Sequence, residues 1–252
     1  MPAVQSYIRD TAADGREVER IGPFLATFTA RSANPFLNYA IPDDDARPSK
    51  SEVQRLTAAF ERRSLIPRLD FLTDAAPEVE AVLVGNGYSL ERRVPLMTCL
   101  PGAVVAQPAP TGVELLIPES DDELSGMISA QDEAFGEPGP VSVESLQNRR
   151  DQLVRGGLAV LARDRATGEP AGAALGTPLV DGITEVVGVG VREKYRRRGV
   201  GAALTEFLTR IAFERDARTA FLTPEGVPEE RLYARVGFRP AGECVHLRRA
   251  GP

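Results

Sequence analysis

The chain has 252 residues, a net charge of −6, 42% hydrophobic and 26% charged residues, and a pI of about 5.1. Such an acidic balance argues against nucleic acid as the main partner, because phosphate binding needs concentrated positive charge. No apolar stretch is long enough to span a bilayer, and the opening MPAVQSYIRDTAADGREVER lacks the basic-then-apolar order of a secretory leader, so a cytoplasmic protein is expected.

In chain order, the first periodic segment is Lys50 to Arg63, a helix with Val53, Leu56 and Phe60 at helical spacing and Ser51 as its expected N-cap. A strand over Ile66 to Leu72, a helix over Pro77 to Val84 closed by Gly85 and Gly87, and an alternating strand over Tyr88 to Leu100 follow. Asn34 to Pro48 carries too many turn formers for an assignment. The uncharged, Pro- and Ala-rich run 101–110 reads as a linker, which divides the chain into an N-terminal unit over 1–100 and a domain over 111–252.

After the linker, a strand over Gly112 to Ile117 and a helix over Glu119 to Glu133 lead to a Gly/Pro-rich break at Phe135 to Pro140. A helix over Ser142 to Val154 precedes a hairpin, Leu158 to Ala162 and Ala171 to Gly176, turned by Arg163-Asp-Arg-Ala-Thr-Gly168. Then come a long strand, Ile183 to Val191, an amphipathic helix, Gly199 to Arg215, a short strand, Thr219 to Thr223, a helix, Pro228 to Val236, and a last strand, Gly242 to Arg248. Strands and helices mixed in this order define an α/β (α+β) sheet domain.

Chemistry concentrates where the long strand meets its helix, in Val187-Gly-Val-Gly-Val-Arg-Glu-Lys-Tyr-Arg-Arg-Arg-Gly-Val-Gly-Ala202. Gly199 and Gly201 let backbone amides at a helix N-terminus approach an anion, and Arg196, Arg197 and Arg198 add charge beside them. A pyrophosphate suits that loop; a solvated charged turn is the competing reading. A Rossmann loop needs a third glycine where Ala-Ala-Leu stands, and a P-loop needs Gly-Lys-Ser/Thr, which is absent. Cys99 and Cys244 lie far apart with no Cys-x-x-Cys pair, and no metal site is expected.

Arg196-Arg-Arg-Gly-Val-Gly201 resembles the Gln/Arg-x-x-Gly-x-Gly/Ala motif of the GNAT acetyltransferases, and Leu232-Tyr-Ala-Arg-Val-Gly-Phe238 is similar to that family's second marker. The resemblance covers Thr111 to Arg249. It implies a mixed central sheet with a splayed strand pair flanked by helices, and acetyl-CoA as cosubstrate, its pyrophosphate held by the loop from Arg196 through Gly199, Val200, Gly201 and Ala202. Backbone groups of Val189, Gly190 and Val191 would bind the pantetheine arm, and the acyl group would pass directly to an amine, most simply that of a small molecule. Tyr233 would protonate the leaving thiolate, against the alternative of a packed helix tyrosine. Glu185 would be the base, against that of a solvent-facing strand residue. His246 reads as a sheet-face residue.

Family acceptor specificity lies in the first two helices and their loop, here Gln131 to Pro140, where Asp132 and Glu133 offer charge for a cationic amine. Gly226 stands where family members often carry asparagine, so one side-chain contact to the cofactor is missing. The helix, strand, helix, strand order of Lys50 to Leu100 resembles the second half of the same domain without its phosphate loop, a degenerate unit with no cofactor site expected. A non-catalytic acyl-CoA-binding module is the rival reading, and monomer or homodimer stays open.

Overall fold

The computed structural model describes residues 2–29 and 37–249, so part of the unassigned stretch Asn34 to Pro48 lies outside the described residues. The chain folds into two compact units, Met97–Pro240 and Met1–Leu96 with Ala241–Pro252.

The first of these units holds β6 (Val113–Leu116), α4 (Asp121–Ala134), α5 (Val143–Val154), β7 (Leu158–Asp164), β8 (Pro170–Gly176), β9 (Ile183–Val191), α6 (Val200–Glu214), β10 (Thr219–Leu222) and α7 (Val227–Val236). Strands β6 to β9 form antiparallel neighbours in sequence order, and β10 then pairs parallel to β9. The other edge of β10 takes Met97–Cys99, the end of β5 (Tyr88–Cys99). Local chemistry explains these elements. In the β7–β8 turn the Asp164 carboxylate accepts the N–H groups of Ala166 (2.9 Å) and Thr167 (3.1 Å). Ser120 caps α4 in a reciprocal box with Glu123, and Ser142 caps α5.

Both faces of this sheet are covered. Val160, Ala162, Ala174 and Val186 pack on Val200, Leu204 and Leu208 of α6, whereas Ala159, Leu161, Ala173 and Leu175 pack on Leu124 and Met127 of α4. That is why β7 reads as an apolar run instead of alternating. The segment expected as a linker is bonded within this unit: Val105 N–H donates to the Val236 carbonyl (2.8 Å) and the Gln107 side chain to that of Arg235 (3.1 Å), so it caps the end of α7.

The second unit holds α1 (Pro2–Ala13), β1 (Glu17–Ile21), β2 (Phe24–Phe28), β3 (Tyr39–Pro42), α2 (Lys50–Glu61), β4 (Arg68–Leu72), α3 (Val79–Val84), most of β5, and β11 (Arg239–Arg249) from Ala241 on. Strands β1, β2 and β3 are antiparallel, β4 is parallel to β3, and β11 pairs antiparallel to β4. Its core is Phe24, Phe28, Leu56, Phe60, Leu69, Phe71, Val245 and Leu247. The last strand, assigned by chain order to the C-terminal domain, thus makes its ladder with β4. The N-cap of α2 is Ser49 and not Ser51, because Glu52, three residues on, returns the hydrogen bond to the Ser49 N–H (2.7 Å). His246 on β11 faces Asp70 of β4 (2.8 Å) and Arg68 (3.1 Å), a paired sheet residue as expected.

Two stretches of the sequence, β1 to β5 and β7 to β11, run in one order: three antiparallel strands, a helix, a parallel strand, a helix, and a long strand. Within a unit, the antiparallel partner of the parallel strand comes from the other copy of the repeat, β11 for β4 and β5 for β10.

Candidate active site

The site is built on β9. Its pairing with β8 runs from Gly176↔Val186 and Leu175↔Val187 to Ala173↔Gly190 and Gly172↔Val191, with a register shift between Ala173 and Leu175. The extra residue is a bulge at Gly188, whose φ of +59° lies in the left-handed region that favours glycine. Its effect is visible in the packing. Val187 lies against the α4 face, yet Val189 and Val191, also odd-numbered, pack on the α6 side. Pairing of β9 with β10 ends at Glu185↔Phe221, one residue before β10 itself ends, so the stretch Val186 to Val191 has no ladder partner on that side.

The bulge is held from above. Gln131 of α4, 5% exposed, donates from Nε2 to the Gly188 carbonyl (2.6 Å), and a Cβ on Gly188 would lie 2.7 Å from that nitrogen. In turn the Gln131 Oε1 accepts from Nη2 of Arg149 on α5 (3.3 Å). Gln131 was legible as an oddity, a polar residue completing the Leu124, Met127, Ile128 stripe at helical spacing. Arg149 carried no sequence signal.

At the far end of β9 the chain passes through a short 3₁₀ turn, Glu193–Tyr195, into the basic loop. Arg196 is structural as well as charged: its Nε donates to the Val191 carbonyl and its Nη2 to the Ala134 carbonyl, both 2.9 Å. Arg197 and Arg198 are exposed, the latter stacked 5.5 Å from the Tyr195 ring centroid. Gly199, at φ +92°, turns the chain into α6 and serves as an N-cap without a side chain. Ala203 N–H already bonds the Gly199 carbonyl. The amides of Val200, Gly201 and Ala202 precede the first intrahelical bond and have no backbone acceptor of their own. No acidic residue occupies the first turn. Helix dipole, free amides and two exposed guanidiniums together fit a pyrophosphate. From the position a Cβ would take on Gly201, Leu232 Cδ1 of α7 is 3.2 Å away and Val191 Cγ2 3.6 Å, so the basic loop, the end of β9 and α7 converge there.

Tyr233 is half-buried on α7, its ring 6.2 Å from that of Phe238 and tilted by 60°. Burial, aided by the charges of Glu229 and Glu225, pushes its hydroxyl up to about 12. Glu185 is half-buried at the last paired position of β9, with its backbone tied to Thr177 (2.8 and 2.9 Å). Its carboxyl forms no hydrogen bond or ion pair among the described residues, and burial pushes it up to about 7. Both groups are perturbed by desolvation, the pattern found at reacting centres and not at solvent-facing positions. Of the expected acceptor carboxylates, Glu133 is taken by Arg192 (2.9 Å), while Asp132 lies near Arg149. Gly226 is the extended N-cap of α7 and brings no side chain.

The class of protein defined by this fold and site agrees with the comparisons. Residues 124–238 match the Acetyltransferase (GNAT) family, and that stretch is a GNAT domain, a member of a family of acyltransferases. The whole chain is similar to the structure of a GCN5-related N-acetyltransferase from Kribbella flavida, at 27% identity and a TM-score of 0.83, over 100% of this chain and 96% of that one. A GCN5-related N-acetyltransferase from Sphaerobacter thermophilus shares the fold at 22% identity and TM-score 0.68, over 91% of this chain and 78% of that one. So does a tandem GNAT protein from the clavulanic acid biosynthesis pathway, at 14% and 0.63, over 99% and 96%. No curated protein matches the chain. Among the described residues no helix is long and apolar enough to cross a membrane.

Proposed function

We propose that this protein is an N-acetyltransferase that moves the acetyl group of acetyl-CoA directly to the primary amine of a small molecule. The observation that carries the reading is the union of an acid-free helix N-terminus at Gly199 to Ala202 with a bulged strand whose last residues are not paired with β10. The loop would hold the pyrophosphate, and the backbone of Val189, Gly190 and Val191 the pantetheine arm. When bound, the acyl-CoA supplies the thioester carbonyl that the amine attacks. Strand amides on the unpaired edge would stabilise negative charge developing on that oxygen.

Glu185, poised near 7, takes a proton from the incoming ammonium, directly or through a water. Tyr233 faces a different demand. A phenol at about 12 is a weaker acid than a thiol, ordinarily near 8.5, so its role is to donate a hydrogen bond to sulfur as the carbon–sulfur bond breaks. The N-terminal unit is read as a degenerate copy of the same half-domain without a cofactor site.

The test is mass spectrometry of an amine panel incubated with the full chain and acetyl-CoA, run beside Tyr233→Phe. Acetylated amine with wild type, slowed roughly 10²- to 10³-fold in a variant that melts and binds acetyl-CoA as wild type does, is the expected result. Tight acetyl-CoA binding with no product from any amine would instead make the chain a cofactor-binding module. Transfer at wild-type rate by Tyr233→Phe would return Tyr233 to packing.

A further inference from the structure

Among the described residues no hydrogen bond or ion pair holds the Glu185 carboxyl, so its placement depends on its backbone. That backbone is held in an uncommon way. In a regular antiparallel ladder two facing residues exchange both of their N–H to carbonyl bonds. Thr177, the residue after β8, makes half of that exchange: its N–H donates to the Glu185 carbonyl (2.9 Å). The Glu185 N–H donates instead to the Thr177 hydroxyl (2.8 Å), which itself donates to the Glu185 carbonyl (3.3 Å). The Thr177 carbonyl, displaced from the ladder, accepts from the hydroxyl of Thr184 (2.7 Å), a residue 1% exposed. Two threonine hydroxyls thus replace one ladder carbonyl, and the replacement falls at the residue that bears the carboxyl.

Glu185 is also the last residue of β9 to pair with β10, through Phe221, and Val186 to Val191 have no ladder partner on that side. The threonine clamp therefore sits where β9 loses support along one edge. A general base must keep its oxygen within about 2.6–3.2 Å of the donor atom or of one bridging water. A misplacement of about 1 Å can slow a reaction about a hundredfold. Bases are commonly aimed by a third group bonded to them. Here no described side chain bonds the carboxyl, and the fixture acts on the main chain. We infer that Thr177 is a positioning residue, whose hydroxyl fixes the Glu185 backbone so that the carboxyl meets the acceptor ammonium in one placement. This inference rests on Glu185 acting as the base, as proposed above.

The test is a double-mutant cycle on the full chain, using the most active amine of the panel. The pH dependence of kcat/KM for that amine, the Kd of acetyl-CoA and the melting temperature are measured for wild type, Thr177→Val, Thr177→Ser, Glu185→Gln and Thr177→Val with Glu185→Gln. Thr177→Val keeps the branched shape and loses the hydroxyl. It should lower kcat/KM about ten- to a hundredfold without changing the Kd of acetyl-CoA. The limb near 7 should move to lower pH, because a loosened carboxyl gains water. Thr177→Ser keeps the hydroxyl and should retain most of the rate. In the Glu185→Gln background the valine should add little, because the group it aims is gone. Carbon-13 NMR of glutamate-labelled protein follows the Glu185 carboxyl, assigned by its loss in Glu185→Gln, and reads its placement without turnover. Equal titration midpoints in wild type and Thr177→Val, or an equal loss of rate in both backgrounds, overturns the inference and leaves the hydroxyl a ladder substitute. Failure of the base reading looks different: Glu185→Gln then keeps the wild-type rate and limb, while the Glu185 midpoint still falls in Thr177→Val. Should Thr177→Val not fold, Thr177→Ala carries the same readings.

Discussion

Burial leaves Glu185 with a carboxyl near 7 and no partner to hold its charge, which ties activity and stability to pH in opposite senses. As a base it must be ionised, so kcat/KM for an amine should rise with pH up to about 7 and then level, apart from titration of the amine itself. For stability the sign follows from the shift: the folded pKa lies above the unfolded value, so the folded state holds the extra proton between about 4.5 and about 7. Its ionisation therefore costs stability, a cost absent below about 4.5 and fully present above about 7. Glu185→Gln is expected to lose the limb in kcat/KM near 7 and to melt higher than wild type at pH 8 but not at pH 4. Thermal melts and pH–rate profiles of the two proteins check both halves; an unchanged limb in the variant would assign the titration to another group. At this scale legibility was uneven. Glu185, Tyr233 and the loop glycines followed from motif position. Arg149, which supports Gln131 at the bulge, did not, because sequence shows residues without showing what surrounds them.

The loop between β9 and α6 is the element in which sequence and structure agree most closely, and it can be probed without disturbing packing. Gly201→Asp, the obvious choice, would drive a side chain into Leu232 and confound binding with folding. Arg197 offers a cleaner change. It is exposed and sits at φ +59°, a conformation that glycine adopts without cost. Arg197→Gly removes one charge from the proposed phosphate site while relaxing the backbone. Stability should hold or rise slightly, and acetyl-CoA should bind about fivefold more weakly, roughly 1 kcal/mol, with a shallower salt dependence. Calorimetry at two salt concentrations tests it, and unchanged affinity would place the phosphates elsewhere. Elements with strong periodicity or caps, from α2 onward, were legible from sequence. The opening strands were not, because they are only four or five residues long and β1, Glu-Val-Glu-Arg-Ile, is largely exposed and charged. The bulge was hidden too: Gly188 and Gly190 read alike, and only the packing of Gln131 shows which one turns.

Across the whole molecule, two copies of one strand and helix order give two helices that follow a third antiparallel strand, α6 after β9 and α2 after β3, and their N-termini differ in the cap and in first-turn charge. At α6 the cap is a glycine, the first turn is free of acids, and Arg197 and Arg198 are exposed beside it. At α2, Ser49 and Glu52 close a capping box that occupies the amide of Glu52 and puts a carboxylate in the first turn. The intervening loop carries Asp43, Asp44 and Asp45, the first two paired with Arg9 or Arg20. A pyrophosphate brought there would meet Glu52 and the aspartates as well as the exposed Arg47 and Lys50, at a helix end whose capping amide is already taken. One coenzyme A per chain is therefore the expected stoichiometry, and Arg197→Gly should weaken all of it. Replacing Glu52 by Gln should leave that stoichiometry and affinity unchanged while lowering stability by about 0.5–1 kcal/mol, since it alters only the cap. Isothermal titration of wild type and both variants, with melts on the same samples, decides the matter. Two bound molecules per wild-type chain, or a second class of site that Arg197→Gly leaves intact, would mean that the N-terminal copy has kept a cofactor site that its loop chemistry argues against.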